Sequence, residues 1–220
     1  MSQFKPTVRS RGRRAPKRVN YDRETIYGVL DSSFMCHVGY VLDDQPFVTP
    51  TSYWREGDTL FWHGSAASRM IKRMAEGLPA CLTVSHFDGL VLARSGFHHS
   101  FNYRSVMAFG RARAINDKAA KEAALEIFVE RVMPGRTAEI RPANAKELKA
   151  TTVVAMEIEE ASAKIRSGPP IDDAPDYDLE VWAGTVPVKL VAEAPVPDPD
   201  LKAGIELPDY IAQWTGMEKN

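Results

Sequence analysis

The sequence predicts a mainly β protein, an antiparallel barrel with peripheral helices. Three observations carry this. Short strand-like apolar runs recur between turn signals. Only a few helical stretches interrupt them. The regular strand–helix alternation that a parallel nucleotide-binding sheet requires is missing.

Taken in order, Asp22 caps a short helix to Leu30, with Ile26, Val29 and Leu30 on its inward side. Phe34 to Leu42 reads as a strand, and Asp43-Asp44-Gln45-Pro46 as a turn. Phe47 to Trp54 is the next strand, with Pro50 marking an edge or an irregularity. Arg55-Glu-Gly-Asp58 turns the chain into the strand Thr59 to His63. A helix follows and stops at Gly77. Ala80 to Phe87 and Leu90 to Ala93 read as strands joined at Asp88-Gly89, a two-residue hairpin signal. Asn102 to Ile115 is a long strand with Gly110 at a bulge. Asp117 opens a helix to Val132, with Leu125, Ile127, Phe128 and Val132 available for packing. Asn144 and Glu147 form a capping-box pattern ahead of a strand from Thr151 to Ile158. Ser167 to Tyr177 is a loop, Val186 to Val191 a last strand, and residues 196–220 a Pro/Asp-rich tail.

The composition bounds the function. The chain has 220 residues, 44% hydrophobic, and a net charge of −1, which fits one globular domain and argues against bulk nucleic-acid binding. Residues 1–19 form a basic, flexible arm rich in Arg and Lys. It serves RNA, a membrane or an acidic partner, or it lies on the acidic surface of its own fold. No apolar h-region follows the arm, and no run reaches the roughly 20 apolar residues of a membrane span. Cys36 and Cys81 read as buried thiols of a reducing compartment, so the expected location is the cytoplasm.

The segment His63-Gly-Ser-Ala-Ala-Ser-Arg-Met-Ile-Lys-Arg73 carries the strongest chemical signal. It reads as a strand that ends, turns at Gly64 and enters a helix capped by Ser65. At roughly 100° per residue, Ser65, Ser68, Arg69, Lys72 and Arg73 share an arc of about 140°. Met70, Ile71 and Met74 take the opposite arc. Hydroxyls and cations at a helix start suit a phosphate, although many surface helices carry a solvated cationic face for no such reason.

The chain resembles the pyridoxamine 5′-phosphate oxidase-like split-barrel flavin-binding proteins. Within them it is most similar to the bacterial flavin-nucleotide-binding subgroup that includes nitroimidazole-resistance proteins. The matching stretches include Tyr21 to Tyr27, Cys36-His-Val-Gly-Tyr40, Gln45-Pro46 through Pro50, His63 to Arg69, Asn102-Tyr-Arg-Ser-Val106 with Phe109-Gly-Arg111, Ser162 to Pro170 and Val181-Trp-Ala-Gly-Thr-Val-Pro187. The resemblance implies a six-stranded antiparallel split β-barrel over residues 20–195, a homodimer, and FMN at the dimer interface. It assigns the phosphate to Ser65, Ser68, Arg69 and Lys72. It assigns the isoalloxazine edge to Pro50, Thr51, Ser52 and Tyr53, and the ribityl chain or phosphate to His63. Arg104 and Ser105 match positions supplying further polar contacts, and Trp182 an aromatic that reaches the partner's flavin. Tyr53 and Trp182 are equally read as plain core or interface aromatics, His63 as a barrel histidine, and Arg104 as a structural ion-pair residue.

True pyridoxamine-phosphate oxidases carry Arg-Leu-His after the C-terminal Trp. Here Trp182 is followed by Ala-Gly-Thr-Val-Pro187, so that substrate is not expected. The expected function is an FMN-dependent oxidoreductase exchanging electrons with a reduced nicotinamide or another small molecule. The alternative is a flavin carrier, sensor or store without turnover. Heme would need an exposed His or Tyr ligand. No metal site is expected: His98 and His99 point apart in a strand, and Asp172-Asp173 reads as a solvated turn.

Overall fold

The computed structural model describes residues 2–215. Residue 1 of the basic arm and residues 216–220 of the tail lie outside the described residues. The elements run β1 (Val19–Asn20), α1 (Arg23–Asp31), β2 (Met35–Leu42), β3 (Gln45–Glu56), β4 (Thr59–Ser65), α2 (Arg69–Ala75), β5 (Glu76–Leu92) and β6 (Ser100–Ala114). They continue with α3 (Lys118–Val132), α4 (Ala145–Ala150), β7 (Thr151–Glu157), β8 (Glu160–Arg166), β9 (Gly184–Pro187) and α5 (Asp209–Ala212).

Six strands form a ring in the order β6-β7-β4-β3-β2-β5, closed by β5 on β6. All these pairings are antiparallel. The ring is split at β6, which pairs with β8 over Tyr103–Phe109 and then with β7 over Ala112–Ala114. This is the six-stranded split barrel the resemblance implied. Gly110 sits at the change of partner, in register with Ala80. A Cβ there would overlap the Glu157 carbonyl oxygen and press on Met156. Close backbone approach, not a bulge, explains that glycine.

Side-chain alternation fills the ring. On β2, Cys36, Val38, Tyr40 and Leu42 point inward, while Met35, His37 and Val41 point out. Leu60 and Trp62 of β4 and Leu82 and Val84 of β5 join them, all essentially without exposure. Each such burial contributes about 1.5–3 kcal/mol. Asp22 caps α1 by accepting the Thr25 N–H at 3.0 Å, and Ile26, Val29 and Leu30 pack into the core. Asp117 caps α3, and the Asn144–Glu147 capping box forms as expected. From α3, Ala124, Leu125 and Phe128 pack on Trp54, Phe61 and Val153 outside the ring. Ile127 and Val132, expected on that face, stay partly exposed.

Three local readings differ from the structure. Asp88-Gly89 is not a hairpin: β5 runs through it with a register shift between Phe87 and Gly89. Pairing with β6 on both sides of the bulge outweighs the local turn preference. The chain turns instead at residues 93–99. β8 carried no sequence signal because its inward residues include Ala161 and Ala163, which hold little apolar surface. The last strand is shorter and earlier than expected, at Gly184–Pro187. Part of the basic arm lies on the acidic surface of its own fold, one of the alternatives the sequence left open. Phe4 is in the core, and the Arg9 guanidinium reaches Glu160 at 2.6 Å and Glu159 at 3.2 Å while lying over the Phe109 ring. Among the described residues no helix is long and apolar enough to cross a membrane. Both cysteines are free thiols, and burial pushes Cys36 up to about 12.

Candidate functional site

The corner where β4 hands over to α2 is built by local rules. β4 continues through Gly64 to Ser65, two residues further than expected. The helix cap is Ser68, not Ser65. Ser68 Oγ accepts the Ile71 N–H at 3.5 Å, and Ser65 Oγ accepts the Ala67 N–H at 3.2 Å. Both hydroxyls accept from the backbone, so each keeps its own O–H to donate outward. Met70, Ile71 and Met74 are buried, while Arg69, Lys72 and Arg73 are exposed.

The three cations are not equivalent. Arg73 is held by Glu76 at 2.9 Å. Arg69 lies over the Phe47 ring, 4.9 Å from its centroid. Lys72 borders a cleft of about 420 Å³ with Asn116, Lys121 and Thr152. Among the described residues neither Arg69 nor Lys72 has an ion-pair partner.

Arg69 also locates the corner on the sheet. β3 pairs with β2 along residues 45–52, but with β4 only from Tyr53 onward. The first half of β3 therefore has an open side, consistent with Pro50, which has no N–H to donate. The stacking of Arg69 on Phe47 sets the start of α2 beside that open side. Val48, Pro50 and Ser52 alternate outward with Trp54, and Phe61, His63 and Ser65 of β4 share that outer face. Thr51 and Tyr53 point the other way. Tyr53 is fully buried and its hydroxyl donates to the Leu30 carbonyl, so its side chain serves the core.

His63 packs edge-on against Phe128 at 4.6 Å under α3 and 6.1 Å from Trp54. Its Nδ1 is buried and has no hydrogen-bond partner among the described residues, as is the case for Trp54 Nε1. Burial holds its pKa below the ordinary 6.5, so the ring is neutral at neutral pH. The linkage has a definite sign. The contribution to stability is complete above 6.5 and is lost as the pH falls through the folded-state value, because the unfolded chain binds the proton first. His63→Phe is therefore expected to flatten the fall in urea midpoint between about pH 7 and pH 5. Parallel curves for the two proteins would refute this.

The remaining expected residues lie elsewhere. Arg104 is in register with His86, ten residues along β5 from Glu76, or about 33 Å along the strand. It makes a two-pronged ion pair with Asp88, at 3.0 Å from Nε and 2.8 Å from Nη2. Ser105, one residue on, faces the opposite side and donates to the Lys164 carbonyl at 3.2 Å. Trp182 is exposed, just before β9, at the Leu92 end of β5. Within one chain, then, Ser65, Ser68, Arg69 and Lys72 lie along the passage from β4 into α2, Pro50, Ser52 and His63 share the outer face of β3 and β4, and Arg104 and Trp182 join neither group. Sequence reasoning missed Phe47 as the seat of Arg69 and Asp88 as the partner of Arg104. The turn reading of Asp88 hid the second.

The outer face of β2, β3, β5 and β6 is apolar and open. Met35, Val41, Val48 and Met107 are each 43% exposed or more. His37 lies among them, in register with Pro50 and Thr83.

The family model described as pyridoxamine 5′-phosphate oxidase matches residues 22–165. Among solved structures, flavocytochrome Anf3 from Azotobacter vinelandii is 43% identical, covers 93% of this chain and 95% of its own, and superposes with a TM-score of 0.89. The FAD and heme binding protein from Mycobacterium smegmatis is 38% identical, with 90% and 98% coverage and a TM-score of 0.87. A candidate 5-nitroimidazole antibiotic resistance protein from Bacteroides thetaiotaomicron is 22% identical over 67% of this chain and 86% of its own, at 0.55, and shares the fold. Comparison with proteins of curated function gave no match.

Proposed function

From the premise that this chain belongs to the pyridoxamine 5′-phosphate oxidase family, we propose that it binds a flavin at the β4–α2 corner and serves as an oxidoreductase. The observation that carries this is the pairing of two cations that have no ion-pair partner among the described residues, Arg69 and Lys72, with two outward-donating hydroxyls beside the open side of β3. Ser65, Ser68, Arg69 and Lys72 hold the phosphate next to the ribityl chain, which FMN and FAD share. Pro50 and Ser52 border the ring system, and neutral His63, with its orphaned Nδ1, supplies a polar contact under α3. A bound flavin supplies hydride and single-electron chemistry. The protein supplies binding, orientation and exclusion of water.

The open apolar face fits a homodimer. A second copy covering Met35, Val41, Val48 and Met107 removes them from water, and the resemblance assigns the partner's Trp182 to the flavin. FMN is the flavin the resemblance implies. A second reading, a flavocytochrome that holds FAD and heme, is favoured by the two neighbours at 43% and 38% identity. For heme, His37 offers an exposed imidazole on the apolar face.

The absorption spectrum of the purified protein tests both readings. Flavin bands alone, with FMN released on denaturation, support the first reading. A Soret band together with released FAD supports the second, and a colourless protein that takes up neither flavin refutes both. Light scattering of the same sample is expected to give the mass of two chains. Bleaching of the flavin by NADH or NADPH on a catalytic timescale supports an oxidoreductase, whereas an inert spectrum supports a carrier, sensor or store.

A further inference from the structure

The loop between β5 and β6 meets the segment before β9 in a way the sequence did not suggest. Asp172, read as solvated, is buried. Its carboxylate accepts the Arg94 backbone N–H at 3.0 Å and the Arg94 guanidinium at 3.1 Å. Arg94 also lies over the Tyr177 ring, 4.8 Å from its centroid. These contacts fix residues 93–99 against residues 172–178.

On that frame His98, Asp173 and Asp176 converge. One ligand atom from each lies within 4.8 Å of the other two. His98 Nε2 is 3.3 Å from an Asp173 carboxylate oxygen. That nitrogen is nevertheless buried and makes no hydrogen bond among the described residues. A contact at this distance without donor–acceptor geometry is what two ligands of one ion show. Bonds of about 2.1 Å at a tetrahedral angle put donor atoms about 3.4 Å apart. Arg94 Nε and Ser95 Oγ are also buried and unpartnered, so three of the eight such atoms among the described residues fall within five residues of this loop.

We propose that His98, Asp173 and Asp176 form a divalent-cation site of the zinc class, with the remaining coordination position left to water. The charges balance: two carboxylates and a neutral imidazole meet a dication, while Arg94 is already neutralised by Asp172. One imidazole with two carboxylates suits Zn²⁺ better than Mg²⁺ or Ca²⁺, which favour oxygen donors alone. The ion clasps the β5–β6 loop to the segment that leads to Trp182. The site is independent of the flavin reading.

The test is calorimetric titration of the full chain, stripped with chelator, with Zn²⁺. One Zn²⁺ per chain is expected. His98→Ala, Asp173→Asn and Asp176→Asn are each expected to weaken binding by about tenfold or more. His99→Ala is the control, because its Nδ1 lies on the Ser95 carbonyl at 2.8 Å; it is expected to stay within about threefold. Zn²⁺ is expected to raise the melting temperature of the unaltered chain and of His99→Ala, but not of His98→Ala. The two Asn variants alter an exposed carboxylate at Asp173 and a half-buried one at Asp176, each nearly isosteric, and keep the test decisive if His98→Ala fails to fold. The proposal is overturned by absent binding, by affinity unchanged in both Asn variants, or by tighter binding of Mg²⁺ or Ca²⁺ than of Zn²⁺.

Discussion

Replacing Arg69 and Lys72 together by alanine is expected to weaken flavin binding by about 100-fold, or about 2.7 kcal/mol. Both side chains are exposed, so each charge-assisted contact is placed near the low end of its range, about 1.4 kcal/mol. The loss is expected to shrink at high salt, because exposed charges are screened. Arg73→Ala is the internal comparison. Arg73 shares the exposed side of α2 but is held by Glu76 at 2.9 Å, so affinity is expected to change by less than about twofold. Quenching of flavin fluorescence on titration into the deflavinated protein measures all three, with FMN and FAD in parallel. If both nucleotides bind the double variant as tightly as the unaltered chain, the phosphate lies elsewhere.

Gly110→Ala is expected to destabilise the fold by about 3 kcal/mol, lowering the melting temperature by about 6–12 °C. The new methyl would meet the Glu157 carbonyl oxygen, a backbone atom that cannot rotate away, where β6 exchanges β8 for β7. Relief requires the β6–β7 contact to open, and that contact closes the ring. Gly28→Ala is expected to act in the opposite direction. Gly28 lies inside α1, and a Cβ there meets nothing within 4 Å. The gain is about 0.5–1 kcal/mol, from better helix propensity and a less flexible unfolded chain. Thermal melts of the two variants separate steric crowding from a general sensitivity to methyl groups. Equal shifts in one direction would count against this account of ring closure.

Legibility followed the range of the interactions. Helix starts were plain because a cap is a contact between residues two or three apart: Asp22, Asp117 and the Asn144–Glu147 box all cap as read. The cationic side of α2 was plain because helical spacing alone fixes it. The cap of α2 was misplaced by three residues, since Ser65 and Ser68 are both good caps and pairing of Ser65 with Thr151 on β7 decides between them. Asp88-Gly89 failed for the same reason, its local turn preference being outweighed by thirteen pairs between β5 and β6. β8 was invisible because alanine gives neither apolar surface nor β propensity to read.

The sequence by itself determined the class of the fold, the inward side of α1, the buried and cationic sides of α2, and the absence of Arg-Leu-His after Trp182. All of these depend on residue type and short spacing. Only the tertiary structure decided which charges are available. Among the described residues Arg69 and Lys72 are left without ion-pair partners, while Arg104 is occupied by Asp88 and Arg94 by Asp172. Only the tertiary structure, too, brought His98 to Asp173 and Asp176 from 75 or more positions away. Pairing across such a distance is set by how the ring closes, and short-range spacing carries no record of it.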